Sequence, residues 1–213
     1  MTVNRDQIVE NTAEFVKNTL KDAEGGHDWY HIKRVWQNAL YIARREQKGD
    51  QLIIELAALL HDIADAKFNN GDESVGPKLA GDFLKSLSVP EDVITHVVQI
   101  INHISFRKHH EYNSFNSIEF QIVQDADRLD ALGAIGIARA FNYGGFKNRP
   151  LYEPAVHGSM SAGKQNTIGH FYEKLLLLKD MMNTKTGSEL AEERHQFMVN
   201  YLVQFYKEWD GLS

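Results

Sequence analysis

The sequence contains no cysteine, which excludes a disulfide framework, a thiolate zinc site and a cysteine nucleophile. Only four prolines occur in 213 residues, so long stretches can run as helix without a break. The apolar runs are short. Residues 52–60 are interrupted by Glu55 and the next run is 175–178, both far below the roughly 20 residues that span a bilayer. No excess of positive charge is present either, since 23 Lys+Arg against 29 Asp+Glu leave a net charge of −6. A nucleic acid polymer is therefore not an expected partner, whereas a small anionic substrate is compatible, because a pocket can be locally basic on an acidic protein. Residues 1–21 carry charges throughout and no apolar core with a cleavage site. The expectation is a cytoplasmic protein with no membrane partner.

What is present is helical periodicity. Apolar residues recur at three- and four-residue spacing rather than in alternation, which predicts an all-α fold. A first helix is predicted from Ile8, stopped by Gly25-Gly26, and a second over about 28–47 with Asp28 as its cap. A third, over about 51–65, is apolar nearly all round and is expected at the centre. A fourth covers about 75–87. The next opens with Ser88-Val89-Pro90-Glu91, a capping-box spacing, and reaches His103. A loop over 106–116 precedes one long helix over about 117–143, ended by Gly144-Gly145. Glycines and Pro150 and Pro154 make 144–165 a long excursion. Two more helices are predicted, 167–182 and 188–209, the last with a capping box at Thr186-Gly187-Ser188-Glu189. No repeat or linker divides the chain, so residues 1–213 read as one domain.

Four segments concentrate the chemistry. The first is Leu60-His61-Asp62-Ile63-Ala64-Asp65, a His-Asp pair in the most apolar part of the chain. Burying both groups is costly without partners. Two readings stand: a histidine satisfied by a carbonyl beside an acid paired with arginine, or two groups reaching one cation. Asp65, a turn further on, either points at what the pair holds or pairs Lys67 at the surface. The second is Gly26-His27-Asp28-Trp29-Tyr30-His31, whose two histidines are four apart. Neutral imidazole is a common metal ligand. The third is Asp125-Ala126-Asp127-Arg128-Leu129-Asp130. Asp125 and Asp127 lie about 200° apart around a helix and cannot both face inward. Asp125 can pair with Arg128, while Asp127 and Asp130 share the other side, either being a candidate ligand. The fourth, Asn102 to His110, holds His103 beside the basic run Arg107-Lys108-His109-His110. His96 lies seven residues before His103 on the same helix face.

His31 in a His-x-x-Arg-Val context, His61-Asp62, and Asp127 in Ala-Asp-Arg-Leu together resemble the HD superfamily of metal-dependent phosphohydrolases, over about residues 27–140. The run from Asp127 to Arg139 and the stretch His170-Phe171-Tyr172-Glu173-Lys174-Leu175 are similar to a single-domain bacterial branch of nucleotide pyrophosphohydrolases. The resemblance implies an HD-domain helical bundle with additional C-terminal helices over about 166–210. It implies His31, His61, Asp62 and Asp127 as ligands of one divalent ion. It also implies Asp65 as the group that orients the attacking water, standing where some relatives have glutamate.

Two histidines and two aspartates form a mixed nitrogen and oxygen site that suits Mn²⁺, Mg²⁺, Fe²⁺, Co²⁺ or Ni²⁺ better than a closed zinc site. The catalytic set is then Asp65, His61 and Asp62. His103, Lys67, Arg128, Lys164, His170 and Lys174 are the candidate substrate contacts, the substrate being a nucleotide, with a (deoxy)nucleoside triphosphate cleaved to monophosphate and pyrophosphate as its specific form. A homodimer is a permitted assembly. Rival readings are a regulatory module that binds a nucleotide without turning it over, and a di-metal oxygenase, which needs more histidine ligands.

Overall fold

The computed structural model describes residues 4–21, 28–64, 72, 74–104, 115–154 and 166–212. Every regular element among them is helical, so the fold is all-α. None of these helices is long and apolar enough to cross a membrane. The chain divides into two compact units, Met1–Ala126 and Asp127–Ser213, taken in turn below.

The first unit holds α1 (Arg5–Thr19), α2 (Trp29–Glu46), α3 (Gln51–Leu60), α4 (Val75–Ser86), α5 (Glu91–His103) and the larger part of α6 (Ile118–Asp130). Helix α3 is its centre: every residue from Ile53 to Leu60 is buried, as its all-round apolar pattern requires. Helices α1, α2 and α5 pack on it, and α4 packs on α5. One acid, Glu55, is buried in α3 with the leucines. It accepts from Trp36 Nε1 at 3.0 Å, Gln51 Nε2 at 3.0 Å and Arg5 Nη2 at 3.3 Å. These three donors satisfy a carboxylate that would otherwise be costly to bury.

The second unit holds the end of α6, then α7 (Gly133–Phe146), α8 (Thr167–Glu173), a 3₁₀ segment (Leu175–Met181) and α9 (Lys185–Trp209). Helix α7 packs on α8 and α9, and the 3₁₀ segment packs on both α8 and α9.

Several boundaries differ from the sequence-based expectation, each for a local reason. Helix α1 starts at Arg5, where the Asn4 side chain accepts from the Asp6 amide. The expected stop at Gly25-Gly26 lies outside the described residues. Helix α3 ends at Leu60 with His61 as its C-cap, so the His-Asp pair follows the helix instead of riding inside it. At α5 the box beginning at Ser88 does not form. Ser88 is left-handed at φ 57° and extended Pro90 is the cap residue.

The single helix expected over 117–143 is two helices. Leu132 is extended and Gly133 has φ +70°, a conformation that favours glycine, and this reverses the chain between α6 and α7. Helix α7 then runs through Gly144-Gly145 to Phe146. Two glycines cost a helix only about 2 kcal/mol in propensity, which packing can offset. The helix expected over 167–182 breaks at Lys174 and continues as 3₁₀. Its buried leucines, Leu175 and Leu178, recur at the three-residue period of that helix. Helix α9 is capped two residues earlier than expected, by Thr184 Oγ1 accepting from the Gly187 amide at 2.9 Å. Helices α2 and α4 start and end as expected, α2 with the Asp28 side chain accepting from the His31 amide.

Candidate metal centre

Helix α2 delivers His31 in its first turn. The Asp28 cap holds the His31 amide at 2.9 Å, and the ring is 2% exposed. His61 closes α3. Its Nδ1 lies 2.9 Å from the Ala58 carbonyl oxygen, and a carbonyl can only accept, so Nδ1 carries a proton and, in the neutral ring, Nε2 has the lone pair. That is the tautomer a metal-ligating imidazole needs, fixed by the hydrogen bond at its other nitrogen. The two rings meet edge to face with centroids 5.3 Å apart.

Asp127 comes from α6. The stretch of α6 up to Ala126 belongs to the first unit, where the Ala126 carbonyl faces Asn38 Nδ2 of α2 at 3.5 Å, and Asp127 is the next residue of the same unbroken helix. One donor atom each of His31, His61 and Asp127 lie within 4.8 Å of one another, the single such group among the described residues. Ligands at about 2.0–2.4 Å from one ion stand about 3–4.8 Å apart, so this spread fits a divalent cation. Asp62 is outside the group of three, with Oδ2 4.0 Å from His31 Nε2.

The other acids of α6 are engaged differently. Asp130 is 1% exposed and pairs with Arg139 Nη1 at 2.9 Å. Asp125 is fully buried. Arg128 is buried too, and its Nη1 donates to the Met181 carbonyl. His103 donates Nδ1–H to the Gln99 carbonyl at 2.7 Å and stacks on Phe115 with ring centroids 5.2 Å apart. His96 meets Ser117 Oγ at 2.9 Å and Glu119 Oε2 at 3.4 Å, so its ring ties α5 to the start of α6. Asp65, Lys67 and Lys164 lie outside the described residues.

His170 and Lys174 occupy α8 and its C-cap. Burial pushes the His170 imidazole below its ordinary pKa, Lys174 and Arg149 push it the same way, and Glu173 opposes them. Arg149 was not legible as a neighbour of His170, because 20 residues separate them; its only signal was the basic run Lys147-Asn148-Arg149 after α7.

The HD domain family matches residues 28–132, the span that contains all four expected ligands. YpgQ of Bacillus subtilis (strain 168) is 42% identical over 205 residues, covering 96% of this chain and 95% of that protein. The chain belongs to the HD domain family. Among solved structures, an HD-superfamily hydrolase from Bacillus thuringiensis superposes with a TM-score of 0.80 at 45% identity, covering 97% of this chain and 99% of the other. YpgQ in complex with ADP superposes with a TM-score of 0.79 at 38% identity, covering 96% of each chain. Similarity over nearly the whole length extends to the C-terminal helices, beyond the segment matched by the HD family. HD domains bind divalent metals, and the three-donor group is where this chain could hold one.

Proposed function

We propose that this protein is a metal-dependent phosphohydrolase acting on a nucleotide, and specifically that it cleaves a (deoxy)nucleoside triphosphate to the monophosphate and pyrophosphate. The observation that carries the reading is the convergence of His31, His61 and Asp127 within 4.8 Å, with the His61 tautomer set by Ala58. The ADP complex of the similar YpgQ supports a nucleotide as the ligand.

A bound divalent ion supplies Lewis-acid polarisation of a phosphoryl oxygen and activation of a water. The chain's own residues divide the remaining work. His31 and His61 offer neutral imidazole nitrogens, while Asp62 and Asp127 bring the negative charge that balances a dication. Asp65 orients the attacking water and accepts its proton on a carboxylate oxygen as the water oxygen bonds to phosphorus. That phosphorus is the α-phosphorus, and its bond to the oxygen that bridges it to the β-phosphorus breaks in the same displacement, so that this oxygen leaves with the pyrophosphate. His170 and Lys174, with Lys67, Lys164, His103 and Arg128, are the groups proposed to hold the phosphate chain and to stabilise charge gathering on its oxygens.

A screen of nucleoside mono-, di- and triphosphates for released phosphate and pyrophosphate, run with elemental analysis of the protein, tests the reading. The expected result is metal-dependent formation of monophosphate and pyrophosphate. A protein that binds metal and nucleotide yet releases neither product from any of them is a regulatory binding module instead.

A further inference from the structure

The charge of the whole chain argues against a nucleic acid polymer, but that charge is unevenly spread. Residues 29–48 hold five Lys or Arg against one Glu, while the rest of the chain holds 18 against 28 acids. Helix α2 carries this local excess. It turns Ile32, Val35, Ala39 and Ile42 inward and packs on α3. At about 100° per residue, its opposite side gathers Tyr30, Lys33, Arg34, Tyr41, Arg44 and Arg45 into an arc of about 120°. All of these are exposed except Arg34, which is half-buried. No acid of the helix stands in that arc, since Glu46 falls about 160° from Tyr30 around the axis.

Two phenol rings stand among these cations. Tyr30 is 66% exposed and Tyr41 45%, and they lie about three turns apart on the same side of the helix. Arg45 Nη1 lies 3.5 Å from the Tyr41 hydroxyl, so a ring and a guanidinium are neighbours. Lys33 and Arg44 pair with no acid among the described residues. Arg44 and Arg45 sit in the last turn, where a cation complements the helix dipole. The dipole gives no such support to Lys33 and Arg34, nearer the other end, and it explains neither tyrosine. Caps at both ends, Asp28 and left-handed Gln47, fix the order of these groups along about 27 Å of helix.

We propose that the outer face of α2 binds an unpaired nucleic acid strand, with Lys33, Arg34, Arg44 and Arg45 taking its phosphates and Tyr30 and Tyr41 stacking on its bases. Cations that track a backbone, interleaved with rings on which bases stack, are the chemistry of single-strand recognition. An acidic peptide or an anionic lipid surface answers the cations but offers the tyrosines no flat rings. A duplex keeps its base faces stacked inside. The length of α2 suits about four nucleotides, the lower end of single-strand site sizes. The face begins at Tyr30, next to His31, yet none of its groups is a metal ligand or a phosphate contact of the centre described above. Strand binding therefore stands apart from the hydrolase reading.

The test uses the full chain with its metal and a fluorescently labelled oligo(dT) strand, followed by anisotropy over a range of salt concentrations. Binding is expected to weaken with salt, log K falling against log salt by about 0.7 for each phosphate engaged. Lys33→Ala and Arg44→Ala, checked for an unchanged circular dichroism spectrum, should each flatten that slope by about 0.7. Tyr41→Ala should weaken binding about tenfold, and Tyr41→Phe should not, because the ring stacks and the hydroxyl does not. An abasic strand keeps the phosphates without the bases and is expected to bind about tenfold more weakly or worse. The proposal is overturned if oligo(dT) does not bind at low salt, or if these variants bind it as the parent does. It is also overturned if the abasic strand, poly-glutamate or phosphatidylserine vesicles bind as tightly. Displacement of the strand by excess ADP would place it in the nucleotide site and sink the proposal too. A chain that binds the strand but hydrolyses no nucleotide loses only the hydrolase reading.

Discussion

Gly144 of α7 lies against Thr167 of α8 so closely that a Cβ at position 144 would fall 2.2 Å from the Thr167 hydroxyl oxygen. That hydroxyl is buried and has no hydrogen-bond partner among the described residues, so it acts only as volume. Gly144→Ala is expected to destabilise the protein by about 1–2 kcal/mol, because overpacking outweighs the gain of about 0.5–1 kcal/mol in helix propensity. In a Thr167→Ala background the same change should become neutral or stabilising. Urea unfolding of the four proteins in this cycle measures the coupling; equal costs in both backgrounds would show that the two residues do not press on one another.

Arg139 supplies charge to a carboxylate that water scarcely reaches, since the Asp130 side chain is 2% exposed. Arg139→Leu removes one of the two cations that act on that charge, Arg194 being the other, and is expected to cost about 2 kcal/mol. Asp130→Asn should cost less, because it removes the charge while keeping the shape. Thermal unfolding of both variants checks the order, and a milder effect from Arg139→Leu would mean the pair contributes little.

Metal content separates the acids of α6. His61→Ala and Asp127→Asn are expected to reduce bound divalent ion, measured by elemental analysis, from about one per chain to background. Asp125→Asn should keep it. Asp62→Asn tests whether the adjacent carboxylate is a fourth ligand, and metal retained at the parental level there would remove Asp62 from the set. Asp65→Asn is expected to keep metal and nucleotide affinity while turnover falls about 10²–10⁴-fold.

Stability should fall on acidification through His170. Its folded-state pKa lies below the ordinary 6.5, chiefly through burial and then through Lys174 and Arg149. The unfolded chain therefore takes up a proton at higher pH than the native one. The contribution is fully present above pH 6.5 and is lost as pH falls toward the lowered native value. Chemical denaturation at pH 7.5 and at pH 5.5 should show a smaller drop for His170→Gln than for the parent; parallel drops would place the loss elsewhere.

The helical class and the start of α2 at Asp28 were legible because their signals are local: apolar spacing in one case, a short acid before a helical run in the other. His31, His61 and Asp127 were legible because the family pattern ties each to its neighbours in sequence. The break between α6 and α7 was not. Gly133 sits in a run rich in alanine and isoleucine that favours helix, and its left-handed backbone faces the Arg194 side chain, 61 residues away, with a Cβ position 3.1 Å from it. The Thr184 cap was missed for a simpler reason. Thr186 and Ser188 offer equally good local chemistry, and only packing decides which hydroxyl starts α9. Arg149 beside His170 depends on the bonds from the Thr167 and Ile168 amides to the Pro150 and Leu151 carbonyls, which no local pattern announces.

Because His61 takes the Ala58 carbonyl, the last turn of α3 finishes on an imidazole. The helix dipole therefore ends there, with its partial negative charge directed at the ring and at whatever cation the ring holds. Charge drawn toward Nε2 strengthens the Nδ1–H bond to Ala58, so occupancy of the centre and order at the end of the central helix reinforce each other. If the group holds an ion, melting temperature is expected to rise with free metal concentration, by mass action on the native state. For such a protein, the supply of divalent ion sets part of the fold's own stability.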